Sequence, residues 1–293
     1  MEQVLVIGAG FMGAGIAQVC AQSGYAVSLM DTDGKALEKA LLRMRWSLEK
    51  LNAKGRLNDP ADNVMQRITP CSDLQSAAGA DWVIEAAPEI EDLKKEIFGE
   101  LDRLTTEDTP LASNTSSIPI TRIAAATDHP QRVLGLHFFG PVPFMGLVEV
   151  IKGVETSAAI FEKGADFVRS LGKTPVRVQR DIPGFVMNRI FSAAFREALD
   201  LVAEGVVTVE DVDVGMRLGY GWNVGPFEIA DNAGLDTFAL VSRSLRALGE
   251  ERLFSRSDLL DKMIAEGRLG KKAGQGFYCY TADGKRRPWG SKD

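Results

Sequence analysis

Histidine is scarce in this chain: His129 and His137 are the only two among 293 residues. Cysteine is nearly as rare. Cys20, Cys71 and Cys279 are odd in number and far apart, which fits neither a disulfide framework nor a metal site, so no metal is expected. A reducing cytoplasm is the simplest setting for them. No apolar run approaches the length that crosses a bilayer, so no membrane partner is expected. An apolar strand starts by Gln3 or Val4, which leaves no room for a secretory signal. Positive charge is not in excess either. The net charge of −6 argues against a general nucleic-acid binder. Internal repeats and low-complexity tracts are missing. What remains is an ordinary globular composition, 45% hydrophobic and 25% charged. The length alone favours about two domains.

The N-terminus carries the first specific signal. Val4 to Ile7 is a short apolar run suited to a central parallel strand. Gly8-Ala9-Gly10-Phe11-Met12-Gly13 follows at once, and Ala14 to Ser23 reads as a helix. This is G-x-G-x-x-G in a strand–turn–helix setting. Gly8 permits the tight turn, Gly10 lets the backbone approach a pyrophosphate, and Gly13 lets helix and strand pack closely. The helix N-terminus, with Phe11 and Met12, offers N–H groups and a positive dipole end to the phosphates. A second strand, Ala26 to Met30, ends at Asp31, at the expected distance of about 20 residues. A carboxylate there accepts bonds from ribose hydroxyls and repels a 2′-phosphate, so the expected cofactor is NAD.

Strand and helix signals then alternate to about residue 180. A long helix is expected over about Lys35 to Lys54, with Leu37, Leu41, Met44, Leu48 and Leu51 as its buried stripe. Strands are expected at Arg67–Thr69, Asp81–Glu85, Pro110–Ser113, Arg132–Leu136, Leu147–Ile151 and Pro175–Gln179, with helices near Asp92–Leu104 and Ser157–Leu171. The pattern predicts an α/β fold with a Rossmann-like, doubly wound, mostly parallel sheet over residues 1–182. Beyond Asp181-Ile182-Pro183-Gly184 the alternation stops. An all-α domain is expected over residues 183–293, with helices at about Phe185–Glu204, from Thr208 as N-cap, from Pro226, and at Leu235–Leu248. The polar tail from Asp283 to Asp293 reads as loose.

Between Ser113 and Val150 lie the parts needed to move a proton on and off an alcohol. They are the hydroxyl and amide turn Ser113-Asn114-Thr115-Ser116-Ser117, His137 at the exit of an apolar run, and Glu149 inside the next one. In open α/β sheets, ligands bind outside the carboxyl ends of the strands. Gly8, Asp31, Glu89, Asn114, Ser116 and His137 all fall just past proposed strands, so the fold rule brings them to one rim. His129, in Thr127-Asp128-His129-Pro130, reads as a surface turn residue.

These residues resemble the L-3-hydroxyacyl-CoA dehydrogenase family, including the 3-hydroxybutyryl-CoA dehydrogenases. The similarity spans roughly residues 2 to 281. It rests on Gly8 to Gly13, Ser113 to Ser117, Gly135 to Pro143, Leu147 to Ile151, Pro183 to Arg189, Gly225 to Glu228 and Gly274 to Tyr278. The resemblance implies NAD-dependent oxidation of a 3-hydroxyacyl-CoA thioester to the ketone, as in fatty-acid β-oxidation. It also implies a homodimer built through the helical domain. It makes His137 the general base and Glu149 its partner, with Ser116 and Asn188 on the substrate's oxygens. Glu89, Lys94 and Asn114 match cofactor-contacting positions beside Asp31. Ser47 and Lys54 match positions that contact CoA, and they share one helix face with Lys50.

The chain departs from the family pattern in places. Gly140 stands where the family usually has Asn, and Gly146 where it often has Lys. Trp222-Asn223-Val224 and Asp231-Asn232-Ala233-Gly234 are also unusual. The two glycines are expected to leave room for an acyl group bulkier than short linear chains. Two other functions fit parts of the pattern: a dehydrogenase of a free hydroxy acid such as a sugar acid, and a non-catalytic NAD-binding protein. Ser47 and Lys54 favour CoA over the first. Ser116, His137, Glu149 and Asn188 favour catalysis over the second.

Overall fold

A computed structural model describes residues 1–247, 249, 257–281 and 284–287. The chain divides into two compact units, Met1–Ile182 and Pro183–Asp293. The first unit runs β1 (Gln3–Ile7), α1 (Phe11–Gln22), β2 (Ala26–Met30), α2 (Gly34–Ala53), α3 (Ala61–Gln66), β3 (Ile68–Cys71), β4 (Trp82–Glu85), α4 (Glu91–Leu104) and β5 (Leu111–Ser113). It continues through α5 (Ile120–Ala124), β6 (Val133–Phe138), β7 (Leu147–Ile151), α6 (Ala158–Ser170) and β8 (Thr174–Val178).

These strands form one sheet in the order β3-β2-β1-β4-β5-β6-β7-β8. Every pair is parallel except β6 with β7. This is the doubly wound, Rossmann-like architecture expected from the alternation. The strand order reverses between β1 and β4, so the carboxyl ends of those strands border the crevice where such sheets take ligands. Val4 to Val6 in β1 and Val83 and Ile84 in β4 are fully buried, as strands covered on both faces must be.

Local chemistry sets the helix ends. The Asp33 carboxylate accepts from the Lys35 amide at the start of α2, and Ser157 accepts from the Ile160 amide at the start of α6. The buried stripe of α2 is Leu37, Ala40, Met44, Leu48 and Leu51; Leu41 is only half-buried. The short α3, which has no strong periodicity, was not anticipated. Nor was the extension of β6 through His137 to Phe138, which places the histidine inside the strand rather than at its exit. Register explains this: His137 has a β7 residue opposite it, so the strand has no reason to stop. His129 departs from a simple surface turn residue. Its Nδ1 lies 3.2 Å from Asp102, which also receives a bond from Arg132.

The second unit contains α7 (Met187–Ala203), α8 (Val209–Tyr220), α9 (Pro226–Ala233), α10 (Leu235–Ala247) and α11 (Leu259–Ala265). Thr208 caps α8 by accepting from the Asp211 amide. Leu248 and residues 282–283 and 288–293 of the polar tail lie outside the described residues. The unit is not wholly helical. β9 (Cys279–Tyr280) pairs antiparallel with β10 (Arg286–Arg287), so the described part of the tail is a hairpin arm and not loose chain.

Two fully buried aspartates organise this core. Asp213 accepts from the Phe227 and Glu228 amides and the Tyr278 hydroxyl. Asp231 accepts from the Phe277 and Tyr278 amides and the Tyr280 hydroxyl. A β-carbon on Gly225 would lie 2.3 Å from Asp213, and one on Gly276 would lie 2.0 Å from Asp231. Gly225 and Gly276 are therefore demanded by packing against these carboxylates.

Candidate active site

The glycine turn has the geometry a dinucleotide requires. Gly8 has φ +96°, and a β-carbon there would lie 2.6 Å from the Ala86 carbonyl oxygen. One on Gly13 would lie 1.7 Å from the Gly8 carbonyl oxygen, so α1 approaches the end of β1 only because residue 13 is glycine. Around Gly10 nothing lies within 4 Å of that position, which leaves its outer side open to a phosphate. No side chain caps the N-terminus of α1, so its first-turn amides are presented to an anion. Asp31 closes the turn: its Oδ2 accepts from the Ala9 amide at 2.7 Å and its Oδ1 from the Asp33 amide at 2.9 Å. The residues present fit an NAD-type dinucleotide: the turn leaves open space at Gly10 before an uncapped helix start, and the Asp31 carboxylate stands at the end of β2.

At the ends of β4 and β5 the polar residues form one connected group. Glu89 Oε1 accepts from the Thr115 hydroxyl at 2.6 Å, from the Ser116 and Ser117 amides at 3.0 and 3.1 Å, and from the Ser117 hydroxyl at 3.0 Å. The carboxylate thereby holds residues Thr115 to Ser117 of the turn. Burial alone would raise the Glu89 carboxyl. The Lys94 ammonium and the turn's donors outweigh that and hold it below the usual range. Lys94 is only 1% exposed. Its ammonium donates to Glu85 at 2.6 Å and lies 3.4 Å from Glu89. Asn114 ties the neighbouring strand, since its side-chain oxygen accepts from the Phe138 amide at 2.9 Å.

His137 and Glu149 face each other across β6 and β7. His137 Nδ1 lies 2.8 Å from Glu149 Oε2, and both side chains are buried. β7 lies between β6 and β8, so Glu149 is an interior carboxylate. The Phe139 ring packs on the imidazole with centroids 4.5 Å apart. A buried carboxylate on Nδ1 fixes the ring's orientation.

Ser47 and Lys54 lie on α2, far along the chain from this group. Ser47 is half-buried, and Lys54 is exposed at the helix's C-terminal cap. Arg43, Ser47, Lys50 and Lys54 are spaced four, three and four residues apart, which aligns them on one face. The Lys50 ammonium lies 5.7 Å from the centre of the exposed Trp46 ring, and the Arg43 guanidinium 6.0 Å from that of Phe11. Asn188 is the second residue of α7, in the second unit.

Sequence reading missed Glu85. It is fully buried and accepts from Lys94, from the Ser113 hydroxyl at 2.6 Å and from the Ala87 amide at 2.7 Å. A carboxylate ending an apolar strand beside a hydroxyl-rich neighbour was the available signal. The room expected at Gly140 is not there. A β-carbon at that position would lie 2.8 Å from Cε1 of Phe11, whereas nothing lies within 4 Å of one on Gly146.

Taking hydride from an alcohol needs a dinucleotide and a proton acceptor. The carboxyl edge of this sheet has a glycine turn that fits the first and a histidine held by a carboxylate, an arrangement compatible with an NAD-dependent dehydrogenase. Comparison with known proteins makes the class specific. Residues 3–182 match the 3-hydroxyacyl-CoA dehydrogenase NAD binding domain, and residues 184–280 match the C-terminal domain of the same family. A probable 3-hydroxybutyryl-CoA dehydrogenase of Deinococcus radiodurans is 44% identical, over 94% of this chain and 99% of the relative. The mitochondrial hydroxyacyl-coenzyme A dehydrogenase of Mus musculus is 41% identical, over 96% of this chain and 91% of its own. The crystal structure of (S)-3-hydroxybutyryl-CoA dehydrogenase from Ralstonia eutropha superposes with a TM-score of 0.88 at 38% identity, covering 96% of this chain and 99% of that one. The chain belongs to the 3-hydroxyacyl-CoA dehydrogenase family, whose members are NAD-dependent oxidoreductases.

Proposed function

We propose that His137 is the general base of the oxidation and the general acid of the reverse reaction. The His137–Glu149 pair carries this reading. With Nδ1 engaged by Glu149, Nε2 is the ring atom that exchanges the proton of the substrate's 3-hydroxyl. Glu149 holds the imidazole in one tautomer and stabilises the imidazolium. NAD, held at the Gly8–Gly13 turn and Asp31, would supply the acceptor for the hydride from C3. The C–H bond breaks, the C=O bond forms, and the hydroxyl proton rests on His137. Ser116 hydrogen-bonds the substrate's 3-oxygen. Asp31, Glu89, Lys94 and Asn114 build the cofactor side, Glu89 by holding the turn that carries Ser116.

The substrate is an acyl-CoA. The basic face of α2 supports this, because Arg43, Lys50 and Lys54 put cations where an otherwise acidic protein can meet the CoA phosphates. A free hydroxy acid would make no use of that face. The preferred acyl group is bulkier than a short linear chain; since Phe11 fills the space at Gly140, the open position at Gly146 is what supports this. The protein is a cytoplasmic homodimer assembled through the second unit. Leu218 and Tyr220 of α8, 84% and 79% exposed, supply apolar surface for that contact.

One assay tests the activity: NADH oxidation with a panel of 3-ketoacyl-CoAs beside free 3-keto acids. Turnover of the thioesters and not of the free acids is expected. The reverse ranking would remove CoA from the reading. Sedimentation of the wild type beside Leu218→Glu tests the dimer, which the charge should split.

A further inference from the structure

Phe11 occupies the side-chain space of Gly140. A β-carbon there would lie 2.8 Å from Cε1 of Phe11 and 3.5 Å from Sδ of Met12, the first closer than carbon atoms pack. Gly140 adjoins Phe139, whose ring packs on His137. Phe11 opens α1 directly after Gly10, on whose outer side nothing lies within 4 Å of a β-carbon. On another side of its ring is Arg43, from the basic face of α2. The ring itself is 57% exposed, an unusual position for a phenylalanine that packs nothing into the core.

We infer that Phe11 is a specificity-determining residue that forms an apolar wall for the acyl group, and that glycine at 140 is the condition for its ring to stand there. The inference rests on the acyl-CoA reading above. Three surfaces meet at this ring: the dinucleotide turn through Gly10, the exit of the His137 strand through Gly140, and the CoA-facing helix through Arg43. A thioester reaching from α2 toward His137 passes its exposed face. Glycine at 140 therefore leaves no vacancy beside the reacting centre. It removes a side chain from the catalytic strand's exit and lets an aromatic ring from the cofactor turn take the place. A flat apolar face with no hydrogen-bonding atom favours substrates with extra methylenes, whose burial against it is favourable, and offers nothing to a short polar acyl group.

The test compares wild type, Phe11→Ala, Phe11→Leu, Gly140→Ala and the double variant Phe11→Ala/Gly140→Ala. Readouts are kcat and KM for acetoacetyl-CoA, 3-ketooctanoyl-CoA and NADH, with thermal melting to confirm folding. Phe11→Ala should lower kcat/KM for 3-ketooctanoyl-CoA about tenfold more than for acetoacetyl-CoA. Phe11→Leu, which keeps apolar volume, should recover most of that loss. Gly140→Ala alone displaces the ring and should lower both acyl substrates. In the double variant the added methyl group should cost nearly nothing, so the two changes are non-additive. Equal losses for both thioesters in Phe11→Ala, or a loss confined to the KM for NADH, would overturn the inference. So would strict additivity. No turnover of either thioester by the unaltered enzyme would instead overturn the substrate reading beneath it.

Discussion

His137 and Glu149 are register partners, opposite each other on the antiparallel β6–β7 pair with Nδ1 and Oε2 2.8 Å apart. Twelve residues separate them in the chain, and the sheet turns that separation into contact. Both side chains are buried, so removing either one disrupts an interior acid–imidazole pair.

Glu149→Gln should therefore lower kcat by about 100- to 10,000-fold while leaving NAD binding nearly unchanged. Steady-state kinetics and NADH fluorescence titration would show the split. In the unaltered enzyme, oxidation needs the neutral imidazole and reduction the protonated one. The two rates should respond to pH in opposite senses. Profiles that move together would take His137 out of the proton transfer.

Asp31 should set cofactor choice. Its carboxylate is held by the Ala9 and Asp33 amides, so it cannot swing away from a 2′-phosphate. A kcat/KM preference for NAD over NADP of about 100-fold, or about 2.7 kcal/mol, is expected. Asp31→Ala should erode it chiefly through the KM for NADP. Equal use of both cofactors by the unaltered enzyme would contradict this.

Lys54→Ala should weaken acyl-CoA substrates and leave short ketoacyl thioesters without the nucleotide nearly untouched. Lys54 is exposed, so the effect should shrink as salt rises through the range where the screening length falls below about 10 Å. Parallel losses with both substrate types would place Lys54 in the fold or the cofactor site.

Stability in acid should depend on Asp102. Arg132 donates to it through Nε at 3.1 Å and Nη2 at 2.6 Å, and both side chains are buried. Burial alone would raise the Asp102 carboxyl, but Arg132, the Asp128 amide and His129 outweigh it and hold it below the usual range. A depressed folded value means the stabilisation is present above the ordinary carboxylate range. It is lost as pH falls through the folded value. Asp102→Asn should cost about 3–5 kcal/mol at neutral pH, because Arg132 stays buried without its counter-charge. The variant should also show a flatter loss of stability on acidification. Urea titrations across pH would decide, and an unchanged acid slope would refute the assignment.

Contiguous residues determined a good deal of this protein. The α/β class, the glycine turn with Asp31, the capped helices from Thr208 and Pro226, and the change of texture at Pro183 all follow from short-range physics. Hydrophobic period, caps and turn glycines act within a few residues and are legible without a partner. Only the tertiary structure decided where the polar groups go. Lys94 matches a cofactor-contacting position by resemblance, but only β4 places Glu85 beside it. Glu89 looks like a lone acid until the Ser113–Ser117 turn closes on it, and Gly140 looks like an empty position until Phe11 fills it. Asp213 and Asp231 gain their meaning only from loops that return from distant parts of the chain. In each case sheet register and helix packing choose the partner, and a one-dimensional pattern carries no record of which residues will meet across them.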